Sequence, residues 1–112
     1  MAEDTVVLNE TESVIREKEL VETPKMYRVL ILNDEATVAY WVVEMLVAVF
    51  NKTLEESMYL TRMADRQGSA IVGIYTKDIA ASKVELGMTF IRNQAATHGM
   101  VCQFNFEVVP TI

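Results

Sequence analysis

Three neighbouring polar side chains, Asn33, Asp34 and Glu35, follow an apolar run directly and precede a predicted helix. All three carry oxygens that accept hydrogen bonds. One interpretation is capping, because acids and amides are favoured at helix starts by the helix dipole and the free backbone N–H groups. The other is a cation-binding lip that holds an ammonium group beside an apolar hole. The residue types and their spacing favour neither interpretation over the other.

Residues arranged as in known catalysts are scarce. The sequence has no HExxH motif, no glycine-rich phosphate loop and no spacing that suggests a Ser-His-Asp triad. The only histidine, His98, precedes Gly99 and is predicted to be an exposed turn residue. The only cysteine, Cys102, lies in a predicted strand and is interpreted as a small hydrophobic residue. We therefore expect no catalytic residue, no cofactor and no metal, since His98 and Cys102 alone cannot form a structural zinc site.

The elements that must position these side chains are predicted from apolar periodicity. Strands are predicted at 27–32, 70–75 and 100–108, with alternation clearest in the last. Helices are predicted at 38–50, from a capping box at 53–56 to about residue 66, and from about residue 77 to 93, with a loop at 95–99. Thr37, Thr53 and Thr76 are the predicted caps. The order β-α-α-β-α-β predicts an α+β fold, three helices packed on a small three-stranded antiparallel sheet.

Charge divides the chain into two parts. Residues 1–24 hold seven acidic and two basic residues, whereas the 112-residue chain as a whole has a net charge of −6. We predict that 1–24 is a disordered acidic N-terminal extension and that 25–112 is one domain. An acidic chain is a poor candidate for nucleic-acid binding, and its longest apolar run is far too short to cross a membrane. Residues 1–20 have no apolar stretch of signal-peptide length, so we expect a cytoplasmic protein, and we expect a monomer.

Five segments of the predicted domain resemble the ClpS family, bacterial adaptors that deliver N-degron substrates to an AAA+ unfoldase. They are Lys-Met-Tyr-Arg-Val-Leu-Ile-Leu-Asn-Asp at 25–34, Trp-Val-Val-Glu at 41–44, Phe-Asn-Lys at 50–52, Gln-Gly-Ser-Ala-Ile-Val-Gly-Ile-Tyr-Thr at 67–76 and Ile-Ala-x-Ser-Lys-Val at 79–84, where x is not matched. The likeness covers about residues 25–108 in one order. It implies an adaptor without catalysis, which binds the free α-amino group and the first side chain of its substrates.

The resemblance also implies roles for individual residues. Asn33, Glu35 and Asp65 stand at the α-amino-binding positions, although the family usually has aspartate at Glu35 and histidine at Asp65. A carboxylate strengthens a bond to an ammonium group. The alternative for Asp65 is a surface pair with Arg62 or Arg66, which flank it in sequence.

The implied side-chain pocket departs from the family where it would contact the substrate. Its residues are Ile31, Thr37, Ala39, Val42, Thr61, Ala64 and Met100. Ala39 and Thr61 replace methionines and Ala64 replaces valine, so the pocket is expected to be larger and Thr61 adds a hydroxyl. These changes fit a paralog with altered specificity, a redesigned pocket or a pocket that no longer works, and the sequence does not rank the three.

The implied partner is the N-domain of a ClpA- or ClpC-type unfoldase. Asp78 and Lys83 stand at the family's docking positions on the third helix, and the alternative is an exposed charge pair without a role. A chain that docks there but no longer reads N-termini would be a modulator of the unfoldase. A small enzyme using Glu35 and Asp65 would lack both a nucleophile and a cofactor motif.

Overall fold

The computed structural model describes residues 24–112, and its elements follow the predicted order β-α-α-β-α-β. The predicted disordered extension at 1–24 lies outside the described residues apart from Pro24, so that division of the chain stays a prediction. The six elements are β1 (Met26–Leu32), α1 (Ala39–Phe50), α2 (Leu54–Gln67), β2 (Ser69–Thr76), α3 (Lys77–Thr97) and β3 (Phe106–Pro110).

The sheet has three strands in the order β2-β1-β3, and both pairs are antiparallel. This confirms the predicted fold class. The central residue Ile31 pairs with Ala70 on one side and with Phe106 on the other. All three are buried, so this row of the sheet faces the helices. The register between β1 and β2 shifts between Val29 and Leu30, which is the mark of a bulge.

The core lies between one face of the sheet and the three helices. Gly87 marks a close approach there, because a Cβ added to it would lie 2.7 Å from the Phe106 ring and 3.2 Å from the sulfur of Met45. The core cluster consists of Val29, Ile31, Trp41, Val42, Met45, Leu46, Phe50, Ala64, Ala70, Val72, Ala80, Ile91, Ala95, Phe104 and Phe106.

Of the three predicted helix caps, only Thr53 is confirmed. The Thr53 hydroxyl accepts a hydrogen bond from the Glu56 backbone N–H, and the Glu56 carboxylate accepts one from the Thr53 N–H at 3.0 Å. These bonds with Thr53 hold the pKa of Glu56 below its usual value. Thr76 occupies the N-cap position of α3 but makes no side-chain capping bond. The prediction for Thr37 is wrong, because α1 begins after Val38 without a side-chain cap.

The connection from α3 to β3 differs from the prediction. The predicted loop at 95–99 is wrong up to Thr97, because α3 continues through the buried Ala95 and ends where Gly99 adopts a φ of 68°. The predicted strand at 100–108 is shorter than expected. Met100 donates its N–H to the Ala95 carbonyl at 2.7 Å, so the chain first turns back onto the helix end and joins the sheet only at Phe106.

Two observations limit the kinds of site in the part of the chain from residue 24 onward. No helix there has the length and apolar character needed to cross a bilayer. Residues 24–112 also contain no group of three or more His, Cys, Asp or Glu side chains placed to bind a metal ion.

Replacing the cap of α2 tests how much it stabilises the fold. Thr53→Ala removes the hydroxyl that satisfies the Glu56 N–H, and loss of such a cap costs about 1 kcal/mol. We expect the free energy of unfolding in urea to fall by that amount. Thr53→Ser keeps the hydroxyl and should retain most of the stability. Equal stability of the alanine variant and the parent chain would contradict a stabilising role for the capping box.

Candidate functional site

A cavity of about 390 Å³ opens where the end of β1, the following loop, the start of α1 and the second half of α2 meet. This volume lies within the range of about 300–1,000 Å³ found for small-ligand pockets. The cavity is lined by Ile31, Leu32, Asn33, Asp34, Glu35, Thr37, Ala39, Val42, Thr61, Arg62, Ala64, Asp65 and Phe104.

The floor of the cavity is apolar. Ile31 of β1, Val42 of α1, Ala64 of α2 and Phe104 are at most 6% exposed. They come from four separate parts of the chain, and Phe104 is held edge-on against Phe106 with ring centroids 5.1 Å apart. An apolar group that enters the cavity would therefore leave water and contact aliphatic and aromatic carbon.

The mouth of the cavity is polar and predominantly acidic. Asn33, Glu35 and Asp65 are exposed, and Asp34 is half-buried. One basic side chain, Arg62, lines the same cavity. Three carboxylates against one guanidinium give the mouth a negative potential, which favours a cationic group over an anionic one.

Asp34 organises the loop between β1 and α1. One carboxylate oxygen accepts the Ala36 N–H at 3.0 Å, and the other accepts the Thr37 hydroxyl at 2.5 Å. The Thr37 N–H is also 3.3 Å from the Asp34 carbonyl oxygen. The carboxylate of Asp34 is thus occupied by its own loop, and neither Asn33 nor Glu35 caps α1, which begins after Val38 without a side-chain bond.

Backbone hydrogen bonds connect the loop that follows β1 to the end of α2. The Asn33 N–H donates to the Gly68 carbonyl at 2.9 Å, and the Gly68 N–H donates to the Ala64 carbonyl at 2.8 Å. Gly68 has a φ of 94°, a left-handed conformation that favours glycine. This turn brings the loop that carries Asn33 and Glu35 to the end of α2 that carries Asp65.

The structure brings together every predicted recognition residue except Met100. Asn33, Glu35 and Asp65 line the mouth, and six of the predicted pocket residues line the cavity: Ile31, Thr37, Ala39, Val42, Thr61 and Ala64. Met100 is not among the lining residues, which follows from the turn that its N–H makes onto the end of α3.

Sequence reasoning missed Phe104, Leu32 and Arg62 as lining residues. Phe104 belongs to the alternating pattern of the third predicted strand, and that pattern carries no signal for which cavity the ring reaches. From sequence, the flanking position of Arg62 indicates only an ion pair with Asp65. Its position on α2, three residues before Asp65, puts both side chains on neighbouring parts of one helix face.

The predicted docking residues lie apart from the cavity. Asp78 is exposed in the first turn of α3. The Lys83 amine donates to the Val49 carbonyl at 3.1 Å and lies 5.7 Å from the ring centroids of both Phe50 and Tyr75. Lys83 is therefore anchored to the protein surface by a hydrogen bond and two cation–π contacts.

The other two candidates also lie outside the cavity. His98 is exposed at the end of α3, as predicted, with its ring 5.0 Å from that of Trp41. Cys102 is half-buried against the core, which agrees with its interpretation as a small hydrophobic residue.

Comparison with known proteins assigns the family. Residues 22–103 match the family described as "ATP-dependent Clp protease adaptor protein ClpS". The chain belongs to the ClpS family. The family is one of substrate adaptors rather than enzymes, and this agrees with the absence of catalytic motifs from the sequence.

Curated relatives and a solved structure are similar over most of the chain. The ClpS of Nautilia profundicola is 40% identical over 92 residues, which are 82% of this chain and 87% of that protein. The ClpS of Acetivibrio thermocellus is 41% identical over 86 residues, 77% of this chain and 81% of that protein. The structure of Agrobacterium tumefaciens ClpS2 bound to L-phenylalaninamide is 30% identical, with a TM-score of 0.66, and covers 79% of this chain and 99% of that one.

The loop geometry of this ClpS-family chain gives a prediction for Asp34. Asp34→Ala removes the acceptor of the Ala36 N–H, so hydrogen exchange at that amide should become about tenfold faster, as expected for loss of one hydrogen bond to a charged group. Glu35→Ala is the matched control, because the Glu35 side chain makes no hydrogen bond to another residue of 24–112. Unchanged exchange at Ala36 in the Asp34 variant would show that another group orders the loop.

Proposed function

We propose that this protein binds the free α-amino group and the first side chain of N-degron substrates and delivers them to an AAA+ Clp unfoldase. Asn33, Glu35 and Asp65 bind the ammonium group at the mouth of the cavity. The first side chain enters the apolar cavity behind them.

The observation that carries this proposal is that an acidic mouth lies directly above an apolar floor. A protein N-terminus presents an ammonium group beside a side chain, and the cavity offers acceptors beside a floor of Ile31, Val42 and Phe104. L-Phenylalaninamide, the ligand of the related A. tumefaciens ClpS2, combines the same two features, a free α-amino group and a benzyl side chain. The match between the chemistry of that ligand and the cavity of this chain supports a working pocket.

Three residues of the lining make the cavity differ in size and polarity from the pocket that is usual in the family. Ala39, Thr61 and Ala64 line it where larger side chains are usual in the family. They leave more space near the first side chain and add one hydroxyl. This argues for an altered choice of first residue rather than for loss of the pocket, because the floor stays apolar and the mouth stays acidic.

For delivery we propose docking on the N-domain of a ClpA- or ClpC-type unfoldase through Asp78 and Lys83. An ammonium group has three N–H donors, and the bond to the Val49 carbonyl uses one of them. Two donors of Lys83 stay available to a carboxylate or carbonyl of the partner, at a position fixed by the anchored side chain. We further propose that the protein acts as a monomer in the cytoplasm.

The free α-amino group should be essential for binding. Acetylation replaces the ammonium group by a neutral amide, which removes charge-assisted hydrogen bonds worth about 1.5–3 kcal/mol. Peptides that differ only in acetylation should therefore differ at least tenfold in Kd by fluorescence anisotropy. Equal affinities would favour the alternative, a modulator that docks on the unfoldase without reading N-termini.

Asp65 separates an ammonium ligand from a surface ion pair in the same assay. Asp65→Asn removes the charge but keeps an acceptor oxygen, so affinity for free peptides should fall a few-fold and depend less on salt. Asp78→Asn is the matched control on α3, outside the cavity, and should leave peptide affinity unchanged. An unchanged Kd in the Asp65 variant would assign that carboxylate to pairing with Arg62 or Arg66.

Ala39 should determine whether β-branched first residues are accepted. Ala39→Met adds bulk at the cavity wall near the substrate Cβ, and such overpacking costs about 1–3 kcal/mol. Ile and Val peptides should lose about fivefold or more in affinity, and Leu and Phe peptides less. Ala48→Met places the same side chain on the exposed part of α1 and should change none of the affinities. A uniform loss across all first residues would show that Ala39 does not contact the first side chain.

A further inference from the structure

A stripe of polar side chains runs along α2 from its start to the cavity. Thr53, Ser57, Thr61 and Asp65 are spaced by four residues, so they lie on one face of the helix. The Ser57 hydroxyl donates to the Thr53 carbonyl at 2.8 Å, and the Thr61 hydroxyl donates to the Ser57 carbonyl at 2.8 Å. Ser57 is completely buried, so its donor has no access to water. The stripe brings one half-buried residue that carries a hydroxyl, Thr61, to the wall of the cavity.

The bond to Ser57 leaves Thr61 able to accept but not to donate. A threonine hydroxyl has one hydrogen and two lone pairs, and the hydrogen is directed at the Ser57 carbonyl. A ligand acceptor could gain this hydrogen only by breaking that bond, so the number of hydrogen bonds would not rise. A ligand donor would add a bond to a free lone pair while the helix bond stays intact.

The remaining polar groups of the lining belong to the mouth or to the loop. Asn33, Glu35 and Asp65 are exposed, and the Thr37 hydroxyl donates to Asp34. A donor that entered the apolar floor without meeting Thr61 or Thr37 would stay unpaired, which carries a desolvation penalty. The cavity therefore favours a donor that meets a hydroxyl oxygen with free lone pairs, that of Thr61 or that of Thr37, and an unpaired donor elsewhere carries the penalty.

We infer that Thr61 makes the cavity select first residues whose side chains carry a hydrogen-bond donor, Trp and Tyr above Phe and Leu. The inference rests on the proposed function, since it concerns the side chain that enters behind the ammonium group. Ala39 and Ala64 add room for a large ring. The indole N–H of Trp and the hydroxyl of Tyr are the donors, whereas Phe and Leu have none.

Trp is the decisive ligand because of Arg62. Arg62 lines the same cavity, and its guanidinium is a potential donor to the hydroxyl oxygen of Tyr, so a preference for Tyr over Phe has two explanations. The indole nitrogen can only donate a hydrogen bond, and Arg62 has no acceptor for it. A preference for the indole N–H over an isostere without it must therefore come from an acceptor such as Thr61.

The test compares peptides that differ only in residue 1, carrying Trp, 3-benzothienylalanine, Tyr or Phe. Benzothienylalanine keeps the shape of Trp and replaces the N–H by sulfur. We expect the parent chain to bind the Trp peptide about fivefold more tightly than the benzothienylalanine peptide, as one neutral hydrogen bond provides. Thr61→Val is nearly isosteric and should bring this ratio to about one. Thr61→Ser keeps the hydroxyl and should preserve the ratio.

Two results would overturn the inference. One is equal affinity of the parent chain for the Trp and the benzothienylalanine peptides. This measurement does not depend on the folding of any variant. The other is a ratio that survives in Thr61→Val, with folding of that variant checked by its thermal melt. Failure of the proposed function is distinguishable, because then acetylated and free Phe peptides would bind equally or none would bind.

Discussion

The site depends on the central strand β1, which is hydrogen-bonded to a neighbour on both sides. Val29 and Ile31 are at most 1% exposed, so the register of this strand is fixed by burial as well as by its ladders. A shift by one residue would turn the buried side chains toward solvent. Because β1 ends at Leu32 in this fixed register, Ile31 reaches the floor of the cavity and Asn33 its mouth. The end of one strand thus positions both the apolar and the polar part of the site.

Neighbouring polar side chains at the acidic mouth have different roles. Both carboxylate oxygens of Asp34 accept hydrogen bonds from its own loop, whereas Asn33 and Glu35 are exposed. The backbone bond from Asn33 to Gly68 then joins the loop to the end of α2, where Asp65 lies. Concentrating acceptors on a fixed loop and a helix end lowers the cost of ordering them when a cation binds, since little conformational freedom remains to be lost.

Helix α2 carries two polar features, a capping box with a spacing of three residues and a stripe with a spacing of four. Its start is capped by Thr53 and Glu56, and its inward stripe carries hydroxyls whose donors return to the helix backbone. Such back-bonding satisfies polar groups within the helix. As a result, the polar residue Thr61 lines the cavity while its hydroxyl hydrogen is already bonded to the Ser57 carbonyl.

The sequence by itself determined the order of the six elements, the capping box and the family, and nine of the ten residues that it proposed for recognition line the cavity. These features depend on local periodicity, on neighbours three or four residues apart, or on motifs that a family shares. Tertiary structure alone decided that Asp34 serves its loop, that Phe104 completes the floor, and that Met100 turns onto the end of α3 instead of entering the pocket. It also decided that Lys83 is anchored to Val49, 34 residues earlier in the chain. Each of these outcomes is a contact or a competition for one hydrogen bond, and residue types do not show which partner wins until the chain has folded.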